Sequence, residues 1–550
     1  MTYAPPVSQI ILAMRSAGGL GDSADLSVED TQAILLEAGR FAAERIAPLN
    51  RVGDKQPAEL VDGNVIMPPG WHEVYADWCA GGWNSLTGSP DHGGQGLPFL
   101  LSAACSELWT SACMAFSLCP LLTTGAIEAI TAHASDDLKQ CYLPKMVSGE
   151  WSGTMNLTEP QSGSDLSQLR CKARRHGDGS YRITGNKIYI TFGEHDFTSN
   201  IVHLVLARLE DAPAGTKGIS LFLVPKFLPD GTRNDLRCHS LEHKLGIHGS
   251  PTCTMVYGDA GGATGWLIGE ENRGLNCMFT MMNNARLLVG VQGVALAARA
   301  MQAAFAFSRE RRQGRAPGSD AQSPIIQHPD VKRMLIDMRA KTAAARMLCM
   351  ATASAIDASA RGDEIARARA ALLTPLAKAY STDIAVEVAS TAVQVHGGMG
   401  FVEETGVAQY YRDARILTIY EGTNGIQAID LVTRKLGLEN GQTLGDCLAR
   451  CGGSVAVEYV EAVRGMAAKL YAAPGSAASL AAATPFARAL AALVAAGLLV
   501  EASVMAQGSE LQDEAEADAR YFTAVELTSA IAAAQAAMAG ADVVVGVRIV

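Results

Sequence analysis

Three short segments of this 550-residue chain carry residue types that could do chemistry. In residues 419–427 (IYEGTNGIQ) the carboxylate of Glu421 stands between an apolar run and a Gly-rich turn. Partial burial raises a carboxyl pKa and suits it to take a proton, which makes Glu421 a candidate general base. The alternative is that Glu421 only caps a helix, because Gly422, Thr423 and Asn424 make a good helix start. Residues 155–165 (MNLTEPQSGSD) combine the turn residues Pro160 and Gly163 with the small hydroxyls of Thr158 and Ser164. Backbone N–H groups and hydroxyls bind phosphate with no bulky side chain in the way, so this stretch suits a loop around a polar ligand. A surface turn capped by Asp165 is the competing reading. Residues 394–401 (QVHGGMGF) hold three glycines, which either let the backbone approach a ligand or a second helix closely or simply join two helices.

Other chemistries lack their signatures. No GxGxxG follows a strand-like run and opens a helix, and there is no GKS/T, HExxH or GxSxG. The 11 histidines are dispersed without metal-ligand spacing, and His396 reads as structural. Cys447 and Cys451 stand one helical turn apart, but no second pair lies nearby to complete a zinc site.

The elements that must position these segments follow from periodicity. Residues 1–30 read as a loose leader. Ser27 to Asp30 read as a capping box that opens a helix through Leu35, Ala38, Ala42 and Ile46, ended by Pro48. A Gly- and Pro-rich stretch over residues 68–98 precedes helical character over residues 100–147. From Trp151 the texture turns to β: runs at 181–184 and 187–191, parted by a turn at Gly185 and Asn186, then runs at 201–209 and 219–224. From about residue 275 the chain is helical again, with long Ala-rich segments at 331–360 and 373–395. The order helix, strand, helix argues for segregated layers instead of alternating βαβ units.

Bulk composition narrows the partners. The chain is 48% hydrophobic and 18% charged, as folded globular proteins are, and its net charge of -11 argues against nucleic acid. The apolar run at residues 10–14 is too short for a signal-peptide core. The apolar run at 489–500 falls short of the roughly 20 residues a bilayer requires, so no membrane insertion is expected. Scattered cysteines point to reduced thiols and a cytoplasmic protein.

Taken together and in this order, TEPQSGSD, the NKIYIT run, QVHGGMGF and YEGTN resemble the acyl-CoA dehydrogenase family over roughly residues 30–435. Residues 155–165, 242–250 and 281–286 resemble most the 3-methylmercaptopropionyl-CoA dehydrogenase-like subgroup, whose members also carry a helical C-terminal extension. The resemblance implies a mainly α fold with a central β domain. It comprises an N-terminal helical domain (31–150), a β-barrel-like middle domain (151–270), a C-terminal four-helix bundle with the catalytic base (271–438) and an extra helical domain (439–550). It implies FAD as cofactor. Position by position, Leu157 and Thr158 would contact the flavin ring, Ser164 the pyrophosphate, and Thr191 the neighbourhood of N5. Tyr189 stands where the family usually has Trp against the flavin. Arg311 would reach FAD phosphate from a neighbouring subunit, Gln394, Gly397 and Gly398 would lie near the adenosine half, and Thr423 near the phosphates. Ser164, Arg286, Tyr420 and Gly422 fall on the substrate side. The chain departs from the pattern at Gly425, at Gln327, His328 and Pro329, which fill the region of the adenine-side Gln, and at Ala285, where one branch of the family places its base.

The implied reaction is α,β-dehydrogenation of an acyl-CoA, short or sulfur-containing, to the trans-2-enoyl-CoA. Glu421 takes the pro-R α-proton, flavin N5 takes the β-hydride, and the Glu421 N–H and a ribityl hydroxyl bind the thioester carbonyl. An electron-transfer flavoprotein would reoxidise the flavin, and the extension implies a homodimer. An acyl-CoA oxidase would share these motifs. A DNA-binding flavoprotein of the alkylation-response type needs a basic C-terminal region, whereas residues 436–550 carry 12 acidic and 6 basic side chains.

Overall fold

The structure, a computed structural model, describes residues 3–20 and 27–548. In chain order it opens with α1 (Val7–Ser16), α2 (Val28–Phe41) and α3 (Ala47–Lys55). A hairpin of β1 (Glu59–Val61) and β2 (Asn64–Ile66) precedes α4 (Trp71–Ala80), α5 (Phe99–Ala112), α6 (Met114–His133) and α7 (Asp136–Ser148). The β region holds β3 (Trp151–Asn156), β4 (Lys172–Arg175), β5 (Tyr181–Thr191), β6 (Asn200–Leu209), β7 (Ile219–Pro225), β8 (Leu236–Leu241), β9 (Thr252–Tyr257) and β10 (Ala263–Ile268). Then come α8 (Gly274–Glu310), α9 (Pro329–Ala360), α10 (Glu364–His396), α11 (Val407–Ala414) and α12 (Asn424–Asp430). The chain closes with α13 (Gln442–Gly452), α14 (Val457–Ala472), α15 (Ala477–Met505), α16 (Gln512–Phe522), α17 (Thr528–Ala539) and α18 (Ala541–Gly546). Residues 44–98 and 113–285 form one compact unit, and the described parts of 1–43, 99–112 and 286–550 form the other.

The first unit is built on the strands. The order β10-β7-β6-β4-β5 closes on itself because β5 also pairs with β10, giving a barrel-like ring that leaves these strands no open edge in that circuit. Every position of β7 is buried, and apart from Ser220 its sequence is an unbroken apolar run. The turn expected at Gly185 is absent, and β5 runs unbroken through it. Tyr181 to Thr184 pair with β4, and Gly185 to Thr191 pair with β9. At the crossover a Cβ on Gly185 would lie 2.6 Å from Cys171 Sγ, so the glycine serves close strand approach and not chain reversal.

The second unit is helical. Its N-terminal residues are not a loose leader: α1 buries Ile10, Ala13 and Met14 at helical spacing and packs on α9 and α15. Ser27 caps α2 by accepting the Asp30 N–H at 3.0 Å, while its hydroxyl donates to the Asp30 carboxylate at 2.8 Å. Pro48 does not end that helix. A π turn over Ala42–Ile46 hands on to α3, with Pro48 in the first turn, where a missing N–H is tolerated. In the core of this unit Arg346 of α9 donates to both oxygens of Glu107 on α5, at 2.7–3.1 Å, with both side chains buried. The C-terminal helices pack onto the long ones, α15 lying against α9, α10 and α12. A half-buried ion cluster ties them down. Arg488 of α15 meets Glu387 of α10 and, at 2.7 Å, Glu526, while Lys341 of α9 reaches Glu387 at 3.1 Å and Glu526 at 3.5 Å.

The length argument against membrane spanning does not hold. The apolar run at 489–500 lies inside α15, which has 29 residues. By length and composition Met114–His133, Gly274–Glu310, Ala477–Met505 and Gln512–Ala539 are each long and apolar enough to cross a bilayer. In the first three, 78%, 89% and 78% of the apolar window is buried inside the protein, against 33% in the fourth. Three of these helices therefore turn most of their apolar window toward the protein interior, whatever their length.

Candidate active site

Glu421 sits on the bend between the short 3-10 turn Arg415–Thr418 and α12. It does not cap α12. Thr423 does, its hydroxyl accepting the Ile426 N–H at 3.2 Å. Glu421 has φ +55° and Gly422 φ +85°, so two successive residues are left-handed. For a non-glycine residue that conformation costs roughly 1–2 kcal/mol, and such strain persists only where neighbours enforce it. Here they do: the Gln427 side-chain amide donates to the carbonyls of Glu421 (3.3 Å) and Gly422 (3.2 Å), and Lys378 Nζ donates to Gly422 O at 2.9 Å. A Cβ on Gly422 would also lie 2.7 Å from Gln427 Nε2 and push aside the amide that holds the bend. With both carbonyls held, the N–H groups of Glu421 and Gly422 have no acceptor among the described residues.

The charges around the Glu421 carboxyl oppose one another. Burial pushes its pKa up, Arg286 and Lys378 pull it back, and the net position is above the ordinary carboxylate value. The side chain is half-buried. Lys378 is wholly buried, and burial lowers its pKa to about 8 against the pull of Glu421 and Asp383. Arg286 is likewise lowered by burial, and its Nε is a buried donor with no partner among the described residues. Tyr420 donates its hydroxyl to Gln292 Oε1 at 2.5 Å, leaving Gln292 Nε2 buried and unpartnered. The site thus offers a carboxylate made more basic, unpaired backbone donors beside it, and two cations.

In the strand-based unit the residues at 157–165 rest on a buried ion pair. Lys187 Nζ binds Glu159 Oε1 and Leu157 O, each at 2.9 Å. Glu159 also accepts the N–H groups of Arg170 (2.7 Å) and Cys171 (3.0 Å). Thr158 O accepts the Ile188 N–H at 2.9 Å, which lays Leu157 and Thr158 along β5. Next to that contact β5 bulges: its register with β9 shifts between Lys187 and Ile190, and Tyr189 has φ +60° and is 60% exposed. Thr191 ends the strand, its carbonyl accepting the Thr154 hydroxyl at 2.7 Å. Ser164 is exposed in the loop beyond. The hydroxyls of Thr158, Ser164 and Thr191 have no partner among the described residues.

The structure therefore gathers Glu421, Tyr420, Gly422, Thr423 and Arg286 in one unit, and Leu157, Thr158, Tyr189 and Thr191 in the other. Arg311, Gln394, Gly397 and Gly398 form a separate exposed group. Phe307, one turn before Arg311, stacks at 4.4 Å on His396, which precedes Gly397. No hydrogen bond or ion pair joins that group to the Glu421 bend among the described residues. Lys378, Gln427, Gln292, Asn424 and the Glu159–Lys187 pair were not singled out from the sequence. For Lys378 a signal existed: it is a lysine set among Leu376, Ala377, Ala379 and Tyr380 on an apolar helix.

Three family models match the chain: the N-terminal domain of acyl-CoA dehydrogenase over residues 28–150, the middle domain over 154–260 and the C-terminal domain over 272–436. The 3-methylmercaptopropionyl-CoA dehydrogenase of Ruegeria pomeroyi is 52% identical over 460 residues, covering 80% of this chain and 78% of that protein. A butyryl-CoA dehydrogenase of Syntrophomonas wolfei is 35% identical, covering 78% of this chain and 73% of its own. Among solved structures, an acyl-CoA dehydrogenase complexed with FAD from Bacillus anthracis superposes with a TM-score of 0.78 at 22% identity, over 97% of this chain and 91% of that one.

Proposed function

The chain belongs to the acyl-CoA dehydrogenase family, and on that premise we propose that it oxidises an acyl-CoA thioester to the trans-2-enoyl-CoA, with Glu421 taking the α-proton. The observation that carries the assignment is the bend at Glu421: a half-buried carboxylate of raised pKa whose own N–H is left unpaired. A thioester α-hydrogen is only weakly acidic, so charge that develops on the carbonyl oxygen must be bound as the proton leaves. The N–H of Glu421 is a donor fixed for that purpose, and Arg286 adds positive charge nearby. Catalysis requires the ionised carboxylate, so kcat/KM falls as pH drops through the elevated Glu421 pKa.

The residues fit FAD. Thr158, Thr191 and Ser164 offer unengaged hydroxyls, and the bulge at Tyr189 presents an exposed aromatic face beside them. Leu157, Thr158, Tyr189 and Thr191 would hold the ring, Ser164 and Thr423 the phosphates, Arg311 would reach FAD phosphate from a neighbouring subunit, and Gln394, Gly397 and Gly398 would lie near the adenosine half. Bound FAD supplies the hydride acceptor. Tyr420, Gly422, Arg286 and Ser164 are assigned to the substrate. The close relative acting on 3-methylmercaptopropionyl-CoA supports that thioester, or another short acyl-CoA, as substrate. We assign an electron-transfer flavoprotein as acceptor, a homodimer as the assembly and the cytoplasm as the location, with helical, β and helical domains at 31–150, 151–270 and 271–438 and the extension at 439–550.

Glu421→Gln tests the central claim. The two side chains are nearly isosteric, so the fold and FAD content should survive while turnover falls at least about a hundredfold. A variant that bleaches its flavin with substrate, under anaerobic conditions, at the wild-type rate would remove Glu421 from the mechanism. An acyl-CoA panel read once with an artificial electron acceptor and once with oxygen alone identifies the acyl group and separates dehydrogenase from oxidase.

A further inference from the structure

The bend that carries Glu421 is held by one face of α10. Lys378 Nζ donates to Gly422 O at 2.9 Å and to Asn424 Oδ1 at 2.9 Å. Asn424 Nδ2 in turn reaches Ala379 O at 3.1 Å, Thr382 Oγ1 at 3.0 Å and Asp383 Oδ1 at 2.7 Å. Thr382 closes the circuit by donating to Lys378 O at 2.8 Å, one turn back. Gly422 follows Glu421 directly, and Asn424 is the first residue of α12. The chain is thus pinned on the C-terminal side of Glu421 by a lysine that is 0% exposed.

A buried ammonium is an unusual choice for this task. Its two acceptors are a backbone carbonyl and an amide oxygen, which a neutral donor could satisfy, and taking a charge out of water is costly unless it is compensated. A third ammonium donor is left over, because the two contacts use two of three. The groups that face it with charge are Glu421 on the bend, Asp383 on its own helix and Arg286 on α8. Of the two carboxylates, Asp383 already binds Asn424. A lysine at this point does what a neutral residue would not: it keeps a cation within range of Glu421 while fixing the peptide that follows it.

We propose that Lys378 is a positioning residue for the dehydrogenation, holding the bend so that the Glu421 N–H faces the thioester carbonyl and keeping the Glu421 carboxylate ionised at working pH. This rests on the reading of Glu421 as the base. Two effects follow that can be separated. Loss of the hydrogen bonds lets the bend relax, and a displacement of about 1 Å at a reacting group costs up to about a hundredfold in rate. Loss of the charge leaves Arg286 alone against the effect of burial, and removal of a neighbouring opposite charge raises a carboxyl pKa by about one unit or more.

The test compares Lys378→Met and Lys378→Arg with the wild-type holoenzyme. In Lys378→Met, kcat should fall about ten- to hundredfold with KM changed less than about threefold. The acid limb of the kcat/KM profile should move up by about one pH unit. In Lys378→Arg the cation remains, so kcat should fall while the acid limb stays in place. Amide hydrogen exchange of peptides spanning residues 416–428, on the substrate-free holoenzyme, should quicken in both variants, a readout independent of turnover. If Lys378→Met does not fold, Lys378→Arg decides: reduced kcat with faster exchange supports the role, and wild-type kcat with wild-type exchange overturns it. A folded Lys378→Met enzyme with a wild-type acid limb and wild-type exchange also overturns it. Should Glu421→Gln remain active, the assignment of the base is what fails; an inactive Glu421→Gln beside an unaltered Lys378→Met defeats only the inference about Lys378.

Discussion

Replacing Lys187 by Met tests whether the buried pair with Glu159 is what holds residues 157–165 in place. The Lys187 side chain is 0% exposed and that of Glu159 3%. Methionine fills most of the same volume and removes the charge. Breaking a buried ion pair from one side costs about 3–5 kcal/mol, because the surviving charge is left uncompensated. In this protein Glu159 keeps three other donors, the N–H groups of Arg170 and Cys171 and the Gln161 side-chain amide at 2.7 Å. The loss therefore belongs at the lower end, about 3 kcal/mol, or roughly a hundredfold in the folding equilibrium. Urea unfolding of wild type and variant at pH 7 measures it. Burial raises the Glu159 pKa, but Lys187 and the two backbone N–H groups outweigh burial, so the folded value lies below the ordinary one. A depressed carboxyl pKa contributes stability that is present above the unfolded value, about 4.3, and disappears as pH falls through the folded value. The gap between wild type and variant should accordingly close at lower pH. In the double variant Glu159→Gln/Lys187→Met no charge is left buried, while the single amide oxygen of Gln can accept only one of the Arg170 and Cys171 N–H groups, which use different oxygens of Glu159, so about 1 kcal/mol of the loss and not all of it should return. A single variant within about 0.5 kcal/mol of wild type at pH 7 refutes the reasoning.

Thr158→Ala combined with Ser164→Ala should reduce FAD retention more than it alters substrate range. Each hydroxyl is worth about 1 kcal/mol, and more against a charged acceptor. Absorbance of flavin relative to protein after gel filtration reads this out, and unchanged FAD content counts against a cofactor role for the loop. Deleting residues 440–550 should leave the chemistry per bound flavin intact but uncover the faces of α9, α10 and α12 on which α15 packs, so the product should aggregate or form a larger oligomer. Light scattering decides it: a full-length tetramer, or a truncated protein that stays a clean dimer, would show that the extension does not cover an assembly surface.

How much of this was legible in the sequence depended on what each element leaves behind. The order of layers was visible because helices and buried strands impose different periods, and the helical stretch at 100–147 and the strand onset at Trp151 fall where α5 to α7 and β3 lie. The errors share one cause: the same residue serves opposite local roles, and tertiary partners choose between them. Gly185 next to an asparagine is a turn signal, yet it lies in mid-strand because Cys171 presses on it. Pro48 is a helix breaker, yet it stands at a helix start. Residues 7–16 are too short to hold a helix by their own pattern, and the faces of α9 and α15 that receive them supply what is missing.

At the candidate site the same ambiguity is resolved against the capping role of Glu421, and the reason is physical. A Glu before Gly-Thr-Asn can be a cap or a base, and the sequence permits either. The fold gives the cap to Thr423 and so frees the carboxylate, then spends Gln427 and Lys378 on the carbonyls of the strained bend, not on its N–H groups. Those supports lie 43 residues upstream and 6 residues downstream of Glu421, the distance from Lys378 and to Gln427, and belong to two helices. Lys378 stands out only as a lysine on an apolar stretch and Gln427 not at all, because a buried polar side chain interrupts hydrophobic periodicity without saying what it binds. A motif records the group that reacts and the glycine that lets the backbone turn. It does not record the residues that hold the backbone there, and those have to be found by asking where each buried donor sends its hydrogen.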